Sequence, residues 1–449
     1  MRQIAAQSGA TSGEQAAGKP ARRIELDWAR TLVVLGLVPV HAASLFTPTA
    51  DLYLKNPETS PAMTLIGVFL GVFGMPLLFF VAGAAAWFGL ETRTNARYVK
   101  ERISRLLVPM LFAMFTVIPF QVYVVVLSNP GIIRAVGTPI TVPDYLHSFV
   151  QFYPQYILGL VYFLGHPSIT GFIAFIGHLW FLLYLLVFSL VALPLFRALK
   201  TPRGRRLIAR LTMFSARPGA IFALCAPIAL VDALAHSIWT GAGFVAETAV
   251  YLALFIYGYA LYADPRFERA IRRQWGLALA AGVALWLAAE RIQLQQSLRP
   301  YDNSMGTLFA VIPLRGVIAW LWVVGLVGFA MTYLSRPSRL LGYLGEAAYP
   351  IYVLHVAVIV SVGYLLLGWD VPLLIKYLAI IVAAYAISFA IFDLFIRRIP
   401  ILRTLFGLRA TPAPPLSAPP ATPTTRGADR AAKPETTPHG GRGASAAPG

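Results

Sequence analysis

The sequence is poor in charge and almost without cysteine. Charged residues are 12% of the 449 and apolar ones 58%, so charge stands at roughly half its usual share in soluble domains. A soluble chain of this length could not hide that much apolar surface around one core. Lipid has to be the solvent. The single cysteine, Cys225, lies inside an apolar run, which excludes an intrachain disulfide. Alternating segments of about ten residues, the mark of a membrane β-barrel, do not occur. No internal repeat is visible, which weakens an inverted-repeat transporter. Residues 1–20 are rich in Gly, Ala, Ser and Gln with no apolar core directly behind them, so no secretory leader is expected. The run 31–46, followed by His-Ala-Ala-Ser, imitates a leader and its cleavage site, but Pro39 and His41 interrupt it.

What is present is a series of long apolar runs between short charged loops. Runs that can cross about 30 Å of hydrocarbon must satisfy their own backbone, which makes them helices. The reading is an all-α, polytopic membrane helix bundle of about ten transmembrane helices. Its spans lie near 30–48, 63–89, 106–127, 171–196, 218–238, 245–262, 275–290, 309–334, 346–368 and 372–396. The net charge of +18 is not spread as a nucleic-acid-binding face would be, and no nucleic-acid partner is expected. Basic clusters instead precede the first span (Lys19, Arg22, Arg23) and follow the second (Arg93, Arg97, Lys100, Arg102, Arg105). They recur after the fourth, sixth, eighth and tenth, whereas the intervening loops hold only Lys55, Arg134, Arg291 and Arg299. By the positive-inside rule both termini are cytoplasmic and the protein sits in a bacterial-type inner membrane. Residues 1–23 are expected to be a disordered cytoplasmic tail, 24–408 the membrane domain, and 409–449 a disordered tail rich in Pro, Ala and Thr. The longest external segment, 128–170, carries Tyr145, His147, Phe152, Tyr153, Tyr156 and Tyr162, a density that suits an interfacial helix or stacking on sugar rings.

Ionisable groups inside spans are costly and are therefore candidates for function. Arg30 opens the first span and His41 lies eleven residues on. Helical rise lifts the imidazole roughly 16 Å from the boundary, and about three turns keep it on the face of Arg30. A boundary anchor plus a packed polar residue would read the same way. His178, running inward in the fourth span, and His355, rising outward in the ninth, reach a depth within about 5 Å of it. Three imidazoles at one level favour a polar cavity. No two of them are spaced i, i+4 and no carboxylate accompanies them at ligand spacing, so no metal and no resident cofactor is expected. Arg102 and Arg105 are three apart at the start of the third span, where their forked donors can converge on one phosphate. Plain topogenic charge would also put them there.

Together these features resemble the acyltransferase type 3 family of integral-membrane O-acyltransferases over residues 24–408. Its Arg-x10-His signature is matched by Arg30 and His41, and its Arg-x-x-Arg pair by Arg102 and Arg105. A Phe-Phe-x-x-Gly turn appears as Phe79 to Gly83, with Ala82 where Ser is commoner. The pattern Gly-x-x-Ser-Tyr-x-x-Tyr-x-x-His appears as Gly345 to His355, with Ala348 in place of Ser. The block His178-Leu-Trp-Phe-Leu and the ending Arg398-Ile-Pro-Ile-Leu-Arg403 are similar to the branch that contains the periplasmic-glucan succinyltransferase.

The resemblance implies transfer of an acyl group, from a cytoplasmic thioester such as acyl-CoA acting as co-substrate, to a hydroxyl of a carbohydrate or similar acceptor at the outer side. His41, with Arg30, would then be catalytic. Imidazole titrates near neutrality and can take and return the acceptor's proton, or carry the acyl group itself. Arg102 and Arg105, with Arg30, would bind the donor's phosphates. His178, Trp180, Tyr349 and His355 would line the cavity and position the acceptor or the carbonyl oxygen. Asp232, His236 and Arg315 are further polar groups for which structural pairing is expected. The competing class is a transporter or flippase, which would also need a polar midplane cavity.

Overall fold

The computed structural model describes residues 23–48, 54–128, 148–167, 169–238, 243–297 and 305–410. The tails 1–22 and 411–449, with Tyr145 and His147 of the external segment, lie outside the described residues. Among the described residues every regular element is helical and there is no strand.

In chain order the helices are α1 (Ile24–Ser44), α2 (Pro61–Glu91), α3 (Asn95–Ser128) and α4 (Phe149–Gly165). Next come α5 (Ile169–Ile176), α6 (Trp180–Val191), α7 (Leu193–Lys200) and α8 (Pro202–Ser215). They are followed by α9 (Cys225–Ile238), α10 (Gly243–Leu261), α11 (Pro265–Ser297) and α12 (Met305–Tyr333). The series closes with α13 (Arg339–Leu366), α14 (Leu373–Ile391) and the short α15 (Pro400–Leu405).

Among the described residues six stretches are long and apolar enough to cross a membrane: Ile24–Ser44, Pro61–Glu91, Asn95–Ser128, Leu314–Tyr333, Arg339–Leu366 and Leu373–Ile396. Gly177–Val191 and Leu193–Lys200, bent by 44°, make a seventh if they form one span. The chain is a multi-pass membrane protein. Three of the ten expected runs are helical but fall short of that measure. Ala220–Ala235 and Glu247–Leu261 are short, and α11 carries Arg266, Glu268, Arg269, Arg272 and Arg273 at one end and Glu290 and Arg291 toward the other. The external segment contributes one described helix, α4.

The core lies around α13, where nearly every side chain from Ala347 to Gly363 is buried. A helix apolar all round belongs in the middle of a bundle. It is flanked by α1, α14 and α3. The outward face of α14 is equally apolar: Leu374, Leu378 and Val382, one turn apart, are more than half exposed. Only lipid suits both faces.

Two local devices shape the packing. Gly83 and Gly258 let α2 and α10 touch backbone to backbone: a Cβ on Gly83 would lie 1.9 Å from the Phe255 carbonyl, and one on Gly258 would lie 2.0 Å from that of Phe80. Close approach through small residues is how helices associate without a hydrophobic drive. That explains the glycine of the Phe79-Phe80-x-x-Gly83 block.

The second device pairs prolines with tyrosines. A helical proline has no N–H for the carbonyl four residues back. Pro39 frees Leu35, whose carbonyl accepts from the Tyr385 hydroxyl at 2.7 Å. Pro109 frees Arg105, which accepts from Tyr349 at 2.9 Å. Pro119 frees Phe115, which accepts from Tyr153 at 3.0 Å. Each kink is thereby stitched to a neighbouring helix.

Candidate functional site

Three imidazoles meet where α1, α13 and the break before α6 converge. The ring centroids of His41 and His355 are 4.9 Å apart, and those of His178 and His355 5.0 Å, each pair edge-on. Gly177 makes this possible. Its φ of 51° is left-handed, a conformation glycine adopts without steric cost. It ends α5 and opens the single 3₁₀ turn Gly177–Leu179 that carries His178. A reciprocal pair of hydrogen bonds then fixes the turn on α13. His178 Nε2 donates to the Val353 carbonyl at 3.1 Å, and the neighbouring Tyr352 hydroxyl donates to the His178 carbonyl.

Hydrogen bonding sets the tautomers. His41 Nδ1 lies 2.9 Å from the Leu37 carbonyl, and His355 Nδ1 lies 2.7 Å from that of Tyr352. A carbonyl only accepts, so each of these nitrogens carries the proton, as does Nε2 of His178. The remaining nitrogen of each ring keeps a lone pair. For His178 Nδ1 and His355 Nε2 that atom is buried without a partner. The three differ in access: His178 is 5% exposed and His355 1%, whereas His41 is only partly buried. His41 is thus the most accessible of the three. No three His, Cys, Asp or Glu among the described residues are arranged to hold a metal ion.

The arginines stand elsewhere. Arg30 is about half exposed, 3.7 Å from Asp27. Arg102 lies over the ring of Tyr98 at 4.9 Å. Arg105 falls in a π turn, Ile103–Leu107, and its charge is felt together with those of Arg93, Arg102 and Arg409. The extra residue in that turn alters the i, i+3 register assumed from the sequence. At this mouth Arg105 has Arg93, Arg102 and Arg409 around it, together with the carboxylate of Glu101.

Tyr349 bridges the two regions. Its hydroxyl holds the Arg105 carbonyl, and its ring is 6.3 Å from that of Tyr352. Tyr352, the second tyrosine of the Gly345–His355 pattern but given no role from the sequence, touches both His178 (5.8 Å) and His355 (6.0 Å). Its i, i+3 spacing to His355 was the available signal. Trp180 is not part of the imidazole cluster. Among the described residues its ring contacts run to Phe79, Tyr184 and Tyr251. Arg315 does pair, with Glu247 of α10; the side chain of His236 lies outside those described.

A helical membrane bundle with a buried imidazole cluster and a guanidinium-rich mouth defines a class of membrane-embedded enzyme, and the comparisons give its family. Residues 23–393 match the family described as an acyltransferase domain, and the chain belongs to it. It is an acyltransferase. It is also similar to "Glucans biosynthesis protein C" of Salmonella paratyphi A and of Salmonella agona, 23% identical over 404 residues, covering 86% of this chain and 94% of each relative. No solved structure matches.

Proposed function

We propose that the protein moves an acyl group from a cytoplasmic acyl donor, acyl-CoA, to a hydroxyl of a periplasmic or cell-surface carbohydrate. The observation that carries this is the set of three imidazoles, each spending one N–H on a backbone carbonyl, which leaves its other nitrogen free to accept a proton. In this reading His41, the accessible member, takes the acceptor's hydroxyl proton as the oxygen attacks the thioester carbonyl. The C–S bond breaks, and the thiolate leaves with the proton that His41 returns. His178 and His355 stand beside it as further acceptors, so the proton can be held within the cluster. Arg30, Arg102 and Arg105 grip the donor's phosphates. The carbohydrate acceptor is supported by the relatives' name, which refers to glucan biosynthesis.

The setting proposed is an inner membrane crossed about ten times, with both termini in the cytoplasm. Contacts between helix ends support it. Arg23 pairs with Glu268, Lys200 with Glu91 and Arg403 with Glu346, all at ends expected inside. Lys376 bonds Asn56 and the Leu367 carbonyl, all at ends expected outside. Reporter fusions after Arg105, Lys200 and Arg273 should read cytoplasm, and those after Lys55, Gly241 and Asp370 periplasm. One loop on the opposite side breaks the ten-span arrangement. The chemistry is tested by mass spectrometry of surface and periplasmic glycans from cells with and without the protein. Loss of an acyl mass increment on a sugar is the expected result; identical glycans would remove the carbohydrate acceptor.

A further inference from the structure

A cavity of about 380 Å³ opens between α2, α9, α10, α11 and α12, away from the imidazoles. Its walls combine Asp232, Glu247, Glu290 and Arg315 with the rings of Tyr251 and Trp286. That volume lies within the range of small-molecule sites. Arg315 and Glu247 are paired yet remain 46% and 40% exposed. Charged side chains left this open beside apolar helices face water, because facing hydrocarbon is too costly. The cavity is therefore an aqueous recess, and the carboxylate of Glu290 lies beside the Trp286 indole at its edge.

The wall chemistry selects a ligand. Among the described lining residues three carboxylates stand against one guanidinium. The balance is negative and repels a polyphosphate such as coenzyme A, which the arginine mouth would attract. Carboxylates only accept hydrogen bonds, so the ligand must present donors. Flat rings at the same site favour a ligand with an apolar face. A neutral sugar ring offers hydroxyls at its rim and C–H groups on its faces. Tyr251 also joins the cavity to the chemistry's neighbourhood. It stacks on Phe79 at 5.0 Å and on Trp180 at 6.0 Å, two residues from His178.

We propose that this cavity is the acceptor's recognition subsite, binding a neutral sugar unit of the glycan while a neighbouring unit reaches His41. The inference rests on the reading of the protein as a carbohydrate acyltransferase. It assigns specificity to α9–α12, apart from the helices that hold the imidazoles.

The test uses the full chain in detergent and a panel of neutral glucose oligosaccharides that differ in linkage. Binding is read by titration calorimetry, and turnover by acceptor-dependent release of coenzyme A thiol. Glu290→Gln, Trp286→Leu and the paired change Glu247→Gln with Arg315→Met should each raise the acceptor's Kd and KM at least tenfold. Donor affinity and kcat at saturating acceptor should stay within about twofold. Unchanged acceptor KM in monodisperse variants that still turn over overturns the subsite and leaves the acyltransferase reading intact. Oligosaccharide binding lost in the variants, with no transfer by the wild type to any sugar, leaves the subsite and overturns that reading. Native mass spectra showing a phospholipid held by Trp286, which oligosaccharide does not displace, would reassign the cavity to lipid.

Discussion

The imidazole centre and the arginine mouth are held in opposite ways. At the centre each ring is fixed by a backbone carbonyl: Leu37 for His41, Val353 for His178, Tyr352 for His355. Helix packing alone sets their geometry, and salt cannot loosen it. At the mouth Arg30 is half exposed and Arg102 rests on the face of Tyr98, while Arg105 rides on a π turn. The guanidiniums of Arg30 and Arg102 are held by side-chain contacts rather than by backbone carbonyls, and Arg105 shares its field with Arg93, Arg102 and Arg409. A group that must be within about 3 Å of a reacting proton needs the first kind of support. Groups that hold a mobile polyphosphate work with the second, since several charges share the task.

The sharpest break of this comparison is at the centre. His41→Ala should lower acyl transfer by on the order of 10²–10⁴-fold, while the protein inserts and purifies as the wild type does. Turnover of the purified variant with acyl-CoA checks it, and near wild-type turnover would end the assignment of His41 as base. At the mouth the losses should be graded instead. Arg102→Ala or Arg105→Ala should each weaken donor binding by about ten- to a hundredfold, since a charge-assisted hydrogen bond is worth roughly 1.5–3 kcal/mol. Lysine should rescue only partly, because a point charge cannot reproduce the fork. Calorimetry with a non-hydrolysable acyl-CoA decides it. Unchanged affinity in a folded double variant returns both arginines to the role of topology signals.

How far the sequence could be read follows from the same contrast. Depth along a helix is set by rise per residue, so the common level of His41, His178 and His355 was visible from counting alone, and the rings do meet. Lateral neighbours were not visible. Tyr352 reaches His178 only because α13 lies beside the turn opened by Gly177. Glu247 meets Arg315 only because α10 and α12 both pack against α2. The π turn Ile103–Leu107, which begins just after Arg102 and holds Arg105, was not visible either, because it departs from the 3.6-residue repeat. Pro109, four residues beyond Arg105, was the local hint, since it removes the donor that an α-helical turn there would need. For α9, α10 and α11 composition read as three further spans; over the described residues Ala220–Ala235 and Glu247–Leu261 are apolar but shorter than a span, and α11 carries charge toward both ends.

The smallest expected effect tests whether the two supports are separate. Tyr385 fills the Leu35 carbonyl that Pro39 frees on α1, nearly two turns before His41, and Tyr349 does the same for Arg105 at the mouth. Removing either hydroxyl leaves a carbonyl without its donor. Interhelical hydrogen bonds in membrane bundles average only about 0.6 kcal/mol, so Tyr385→Phe and Tyr349→Phe should each lower stability by roughly that amount. Their kinetic signatures should differ. Tyr385→Phe relaxes the kink that places the base, so kcat falls by about two- to fivefold and donor affinity holds; the same energy scale sets that factor. Tyr349→Phe frees the turn that places Arg105, so donor Kd rises by a similar factor and kcat at saturating donor holds. Thermal melts in detergent measure the first quantity, and steady-state kinetics with calorimetry the others. If both variants shift kcat and donor Kd alike, the mouth and the centre move as one body, and the division between a donor grip held by side chains and a proton acceptor held by backbone is wrong.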